Sequence, residues 1–312
     1  MAAYRSQEKQ HFQEENRSRK VLRLLLVRHG ETTANADGIC QGQSMDRSYC
    51  LTMLGIAQAR AAGRVLPSYV SPMPFWRIIS SDLPRARQTL SLLLLPKQIG
   101  DGSTDIITSE GCFPAPEYSP LVREFRLGLR EGQARTMPMK QLREDWRRIH
   151  GMEETPPTPE RTRDVVKRGW DFLHLLVSDA LAEMLDPRQA HDAIGVPSAS
   201  TLLASSDTHN VMDDEFSAIE SAEQQEPKVV LVVSHGGFIR MFLQHVCGFK
   251  NVDIINNTSF STIDVFVKLD AKANEASPKD LKFEAVVLND TAHLGEASHG
   301  ARSPNLMSQS RW

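Results

Sequence analysis

Residues 21–35 read VLRLLLVRHGETTAN. The short apolar run at 21–27 suits a strand covered on both faces. It ends abruptly in Arg28, His29 and Gly30, followed by the acidic Glu31 and a run of small polar residues. A strand that merely turns at the surface could end in almost anything polar. A functional reading therefore requires other segments that converge on the same place.

Working outward, TMLGIAQARAAGRVL at 52–66 begins with a capping Thr52 and is rich in Ala, Leu and Arg, which predicts a helix. FWRIISS at 75–81 predicts the next strand. LPRARQTLSLLLL at 83–95 predicts the helix after it, with Pro84 in the first turn where its missing N–H costs little. Helices come next at 135–150 and 162–186, the second with Val165, Phe172, Leu173, Leu176 and Ala180 as its apolar positions. KVVLVVS at 228–234 is a second strand of the buried type, and FIRMFLQHVCG at 238–248 is a helix ended by Gly248. STIDVFVKL and KFEAVVL read as further strands. This order predicts an α/β fold with three layers, α/β/α, around a mostly parallel mixed sheet. One domain is expected over residues 21–290, with a polar insertion at about 187–227 and flexible tails at 1–20 and 291–312.

Lys and Arg number 36 against 39 Asp and Glu in 312 residues, for a formal net charge of −3. No global field recruits nucleic acid or an anionic membrane, so any anion binding has to be local. The four cysteines, Cys40, Cys50, Cys112 and Cys247, lack both CxxC pairing and the dense spacing of a secreted disulfide framework. Reduced thiols in a cytoplasmic protein are the expectation. The apolar run near the start is too short for a signal-peptide core or a membrane span.

Three predicted strands end in basic residues and pass directly into small residues or a helix. The first ends in Arg28, His29 and Gly30, the second leads to Arg85 and Arg87, and the third to His235, Gly236 and Gly237. In open α/β sheets ligands bind outside the carboxyl ends of the strands, so these segments are expected to face one crevice. Two arginines, two histidines and helix N-termini with free backbone N–H groups make a pocket for a phosphate dianion. Each piece alone has an ordinary reading, as a strand-end turn, a helix cap or a basic helix. Together they point to one anion site.

LVRHGETTAN, SSDLPRARQT, REFRLGLREG and VVSHGG, in this order, resemble the histidine phosphatase superfamily, also called the phosphoglycerate mutase-like family. GICQGQ at 38–43, SSDLPRARQT at 80–89 and VKRGWDFLHLL at 166–176 are most similar to its fructose-2,6-bisphosphatase TIGAR branch. The resemblance implies a phosphoglycerate mutase-like fold and a metal-independent phosphatase of a small phosphoester, such as a sugar bisphosphate, with no cofactor. It assigns the nucleophile to His29. An independent argument agrees, because a neutral imidazole is nucleophilic near neutral pH and neighbouring arginines disfavour its protonated form. Arg28, Arg85 and His235 would hold the transferring phosphoryl oxygens. Spacing alone does not choose between Arg85 and Arg87; the family pattern selects Arg85.

A leaving alkoxide needs a proton, and the water that later attacks must lose one, so one carboxyl group should do both. Glu124 occupies the family's acid/base position, with Glu31 a secondary candidate and Glu131 one of several loop carboxylates. Asn35 matches a phosphate-contacting position, the backbone at Gln41 and Gly42 matches the phosphate loop, and Gly236 comes directly after the second histidine. The other histidines show no metal spacing. Two departures stand out. Phe125 comes after Glu124 where mutases carry arginine, although Arg123, Arg126 and Arg130 lie nearby. Thr158, Pro159, Glu160 and Arg161 stand near the place of a Gly-Gly-Glu-Thr segment in the TIGAR branch. The alternatives are a phosphoglycerate mutase and a weakly catalytic protein-binding member. Oligomeric state is not legible.

Overall fold

The computed structural model describes residues 18–70, 74–95, 113–185, 226–268 and 280–295. Six strands, β1 (Ser18–Arg28), β2 (Phe75–Ser80), β3 (Glu117–Tyr118), β4 (Lys228–Ser234), β5 (Phe260–Lys268) and β6 (Leu281–Asp290), form one sheet in the order β3-β2-β4-β1-β5-β6. The helices are α1 (Thr33–Ala36), α2 (Met53–Val70), α3 (Pro84–Leu93), α4 (Met139–His150), α5 (Thr162–Leu185) and α6 (Gly236–Met241). β2 runs parallel to both β3 and β4, with Ser80 opposite Tyr118 on one side and Val233 on the other. The His29 N–H donates to the Ser234 carbonyl at 3.0 Å, so β1 and β4 end side by side. The Thr258 N–H, just ahead of β5, donates to the Arg28 carbonyl at 3.0 Å, so β5 starts where β1 ends and runs the other way. The sheet is mixed, with parallel strands at its centre.

Two compact units divide the chain. The larger comprises Leu24–Gly169, Val229–Ile263 and the chain from Ala285 onward. Within it, Leu25 and Val27 of β1, Ile78 of β2 and Leu231 and Val233 of β4 pack with Ala62 and Leu66 of α2 and with Leu90 and Leu93 of α3. The alternate residues Leu24, Leu26, Val230 and Val232 are buried as well. Successive side chains of a strand point to opposite faces, so the centre of the sheet is covered on both sides. That is what the apolar runs at 24–27 and 229–233 require.

The smaller unit holds the residues up to Arg23, Trp170–Lys228 and Asp264–Glu284. Its buried Asp264 accepts two hydrogen bonds from Arg23, at 2.7 and 2.9 Å, and one from Lys20 at 3.0 Å. A buried carboxylate requires such partners. This is why β1 begins at Ser18 rather than at residue 21: the charged residues before the apolar run still have work inside the sheet.

Other boundaries differ for equally local reasons. The helix expected at 52–66 runs through Pro67 to Val70. That expected at 135–150 starts at Met139, after an extended Pro138. The one expected at 238–248 is α-helical from Gly236 to Met241 and then widens into a π turn over Phe242–Val246, with Gly248 at φ 77° beyond it. Past β6, residues 292–295 form a 3-10 turn. Residues 1–17 of the N-terminal tail, all of the 187–227 insertion except Glu226 and Pro227, and residues 296–312 lie outside the described residues. Cys40, Cys50 and Cys247 are free thiols. Among the described residues no helix is long and apolar enough to cross a membrane.

Candidate active site

The carboxyl ends of β1 and β4 bring His29 and His235 together, with ring centroids 5.2 Å apart and planes at 60°. Both are buried, as is Arg85 on the first turn of α3. Arg85 donates from Nε to His29 Nε2 at 3.3 Å and from Nη2 to the Gly42 carbonyl at 2.7 Å. Arg28 donates from Nη1 to the Ile255 carbonyl at 2.6 Å, and its buried Nε has no protein partner. Three strand ends therefore meet in one place, all within the larger unit.

The hydrogen bonds fix the state of the first imidazole. His29 Nδ1 lies 2.7 Å from the Gly30 carbonyl, which can only accept, so Nδ1 carries the proton and Nε2 keeps its lone pair. Burial pushes the His29 pKa well below its ordinary value, and the charges of Arg85 and Arg28 push it further. His235 Nε2 lies 2.8 Å from Ser81 Oγ, which itself accepts the Leu83 N–H at 3.3 Å. The other ring nitrogen of His235, Nδ1, is buried and has no protein partner. Burial and then Arg85 also hold His235 well below its usual pKa. Burial lowers Arg28 and Arg85 to about 10, which leaves both cationic at neutral pH.

Close backbone packing sets this geometry. A Cβ on Gly30 would lie 2.6 Å from the Gly55 carbonyl oxygen, and one on Gly55 would lie 2.0 Å from that of Glu31. The loop after His29 and the start of α2 touch through two glycines. Behind them the Gly30 N–H donates to Thr89 Oγ1 of α3 at 3.0 Å.

The loop after β3 carries Glu124. Its Oε1 accepts the Phe125 N–H at 2.9 Å and its Oε2 accepts the Gly237 N–H at 3.0 Å. Its charge acts on both Arg28 and Arg85, raising their pKa values against burial. The other two carboxylates have different partners, although Glu131 lies against Gly42 and its charge also raises the Arg85 pKa. Glu31 accepts the Thr52 hydroxyl at 2.9 Å at the start of α2. Glu131 accepts the N–H groups of Gln43 and Leu127 at 3.1 and 2.8 Å.

The sequence profile described as the Histidine phosphatase superfamily (branch 1) matches residues 24–185 and 206–268. The chain belongs to that superfamily. Among relatives of this histidine phosphatase, Fructose-2,6-bisphosphatase TIGAR of Xenopus laevis is 31% identical over 228 residues, which cover 71% of this chain and 74% of that protein. A broad-specificity phosphatase of Saccharomyces cerevisiae is 26% identical over 286 residues, covering 90% of this chain and 91% of its own. The solved structure named Mycobacterial hydrolase 1 is similar in fold, with a TM-score of 0.52 at 20% identity, over 86% of this chain and 99% of that one.

In this histidine phosphatase the remaining expected residues divide between the anion site and its surroundings. Arg87 is exposed and lies over the Tyr118 ring at 4.4 Å, pointing away from His29. Gly236 runs close to the anion site, since a Cβ there would lie 3.1 Å from Arg28 Nε. Gly42, at φ 52°, presents its carbonyl to Arg85. Gln41 is buried, and its Oε1 has no protein partner. Asn35 uses Oδ1 to accept the Thr32 N–H at 3.3 Å, completing the capping box of α1.

Several site residues carried no signal in the sequence. Ser81 lies inside the SSDLPRARQT segment with no role that its position suggests. Asn257, whose Nδ2 donates to the His29 carbonyl at 2.8 Å, lies in an unremarkable polar loop. Arg168 and Glu160, 2.7 Å apart behind the Glu124 loop, are distant in sequence from every motif histidine.

Proposed function

We propose that this phosphatase hydrolyses a small phosphoester, a sugar bisphosphate such as fructose 2,6-bisphosphate, through a phosphohistidine on His29. The substrate phosphoryl group lies among Arg28, Arg85 and His235, whose charges and dipole oppose the charge that grows in transfer. The Nε2 lone pair of His29 attacks phosphorus as the bond to the leaving oxygen breaks, and Glu124, having taken the proton of the monoanionic form of the bound phosphoester, gives it to that oxygen. Water then loses a proton to the Glu124 carboxylate and attacks phosphorus. The P–N bond breaks, inorganic phosphate is released and His29 returns neutral with Nδ1–H still on the Gly30 carbonyl. Asn35, Gln41, Gly42 and Gly236 line the approach to the phosphoryl group.

The observation that carries this reading is the unprotonated Nε2 of a buried, neutral His29, which accepts a hydrogen bond from Arg85 Nε at 3.3 Å and lies 5.2 Å ring to ring from His235. The name of the TIGAR relative supports the substrate class. Phe125, which stands where mutases carry arginine, favours release of phosphate to water over its return to a substrate. The gap in the family match at 186–205 supports a single phosphatase domain interrupted by an insertion. The free thiols support a cytoplasmic setting.

The test is a quench of the enzyme turning over fructose 2,6-bisphosphate, and then peptide mapping. An acid-labile phosphoryl group on His29, absent in His29→Ala, is expected, with release of inorganic phosphate. An acid-stable adduct on another residue would overturn the mechanism, and transfer of the phosphoryl group to a phosphoglycerate in preference to water would overturn the assignment as a hydrolase.

A further inference from the structure

Arg168, on the second turn of α5, uses every N–H it has on the Glu124 loop and its support. Nε donates to Glu160 Oε1 at 2.7 Å and Nη2 to Glu160 Oε2 at 3.0 Å. Nη1 donates to the carbonyls of Leu121 at 2.7 Å and Arg123 at 3.0 Å, and Nη2 also reaches the Glu124 carbonyl at 3.4 Å. That accounts for the five donors of a guanidinium. Glu160 holds the far side of the same loop, accepting the Arg126 N–H at 3.2 Å and donating its own N–H to the Arg126 carbonyl at 2.7 Å. Glu124 therefore lies between two pinned stretches of backbone. The pair is 16% and 10% exposed, so solvent screens it little. The guanidinium also lies 5.4 Å from the ring of Phe238, three residues past His235.

We propose that Arg168, paired with Glu160, is a positioning residue for proton transfer: it fixes the backbone of the acid loop so that the Glu124 carboxyl stays beside the anion site. The inference rests on Glu124 being the proton-transfer group. Arg168 touches no substrate. Its role comes from geometry, because residues 119–126 lie in no strand and a loop needs side chains to do what a ladder does for β1 and β4. Lysine keeps the charge but offers at most three donors and no planar fork, so it cannot satisfy two carboxylate oxygens and three carbonyls together.

The test compares Arg168→Lys, Glu160→Gln, Glu124→Gln and the Glu124→Gln/Arg168→Lys double variant. Glycerol phosphate serves as a substrate that needs its leaving group protonated, and p-nitrophenyl phosphate as one that does not. Vanadate affinity and melting temperature are measured alongside. Arg168→Lys is expected to lower kcat on glycerol phosphate about 10- to 100-fold, the scale of a small misplacement. Its burst of nitrophenol and its vanadate affinity should stay within about twofold, the latter because the anion is held by other residues. Glu160→Gln should lose less, in the same direction, and stands in if Arg168→Lys does not fold. The double variant should be no slower than Glu124→Gln alone. Losses that multiply in the double variant, or a vanadate affinity that falls in step with kcat, would overturn the positioning role. If Glu124→Gln itself leaves glycerol phosphate hydrolysis intact, the acid/base reading falls instead, whatever Arg168 does.

Discussion

His29 and His235 stand at the ends of β1 and β4, where neighbouring strands already fix the backbone through the His29 N–H on Ser234 and the Ser81 N–H on Val233. Glu124 stands on a loop whose nearest strand is the two-residue β3, and its backbone is fixed by the side chains of Arg168, Glu160 and Gln43. The half of the site that we propose binds the anion is therefore a by-product of the sheet, while the half that we propose transfers the proton depends on a few side-chain hydrogen bonds. Perturbing the first should cost phosphate affinity. Perturbing the second should cost turnover and leave affinity in place.

The sharpest way to break this contrast is at α3. Arg85→Ala removes a buried, hydrogen-bonded cation and should weaken vanadate binding by about 30- to 1,000-fold, as read by inhibition of turnover. Arg87→Ala removes only an exposed stacking contact with Tyr118, and vanadate binding should stay within about twofold. Equal losses in the two variants would mean that the guanidinium facing His29 does not hold the phosphoryl group.

A smaller effect is expected at the seam between the two halves. A Cβ added at Gly237 would lie 2.3 Å from Glu124 Oε1, the movable end of a side chain and no part of the backbone. Gly237→Ala should thus fold normally yet lower kcat about tenfold while vanadate affinity holds. A drop in affinity as large as that in kcat would show that the two halves are not separable.

The smallest effect is on stability. His29 and His235 are held neutral by burial, so each binds its proton less readily folded than unfolded. The unfolded chain takes up more protons below about pH 6.5, so stability should be full above that value and fall steadily as the pH drops below it. His29→Gln should flatten the decline in denaturant midpoint between about pH 6.5 and 5. An unchanged slope would mean that His29 is protonated in the folded state.

The same contrast governs how far the sequence could be read. The apolar runs at 21–27 and 228–234 announce strands buried on both faces, and the residues just past such a strand in an α/β sheet are placed by topology. His29, Arg28 and His235 could therefore be brought together from pattern alone. Arg85 could not be separated from Arg87 by spacing, because only α3's docking decides which of them turns inward. Glu124 rested on family resemblance. Arg168 lay in a segment similar to the TIGAR branch and Glu160 in one that departs from it, but their joint hold on the Glu124 loop was illegible, since 44 residues separate Arg168 from the Glu124 carbonyl and no periodicity links them. Asp264 was likewise invisible as the reason for β1's early start, because its partners lie 241 and 244 residues away.

Gly30 and Gly55 carry one more consequence. At most tight spots in a protein, a bulkier residue on one side can be accommodated by trimming its neighbour. Here the atom opposing each absent methyl is a peptide oxygen, which no codon change can shorten. Neither position can accept a side chain while the other compensates, so the separation of His29 from the start of α2 is set by main chain against main chain.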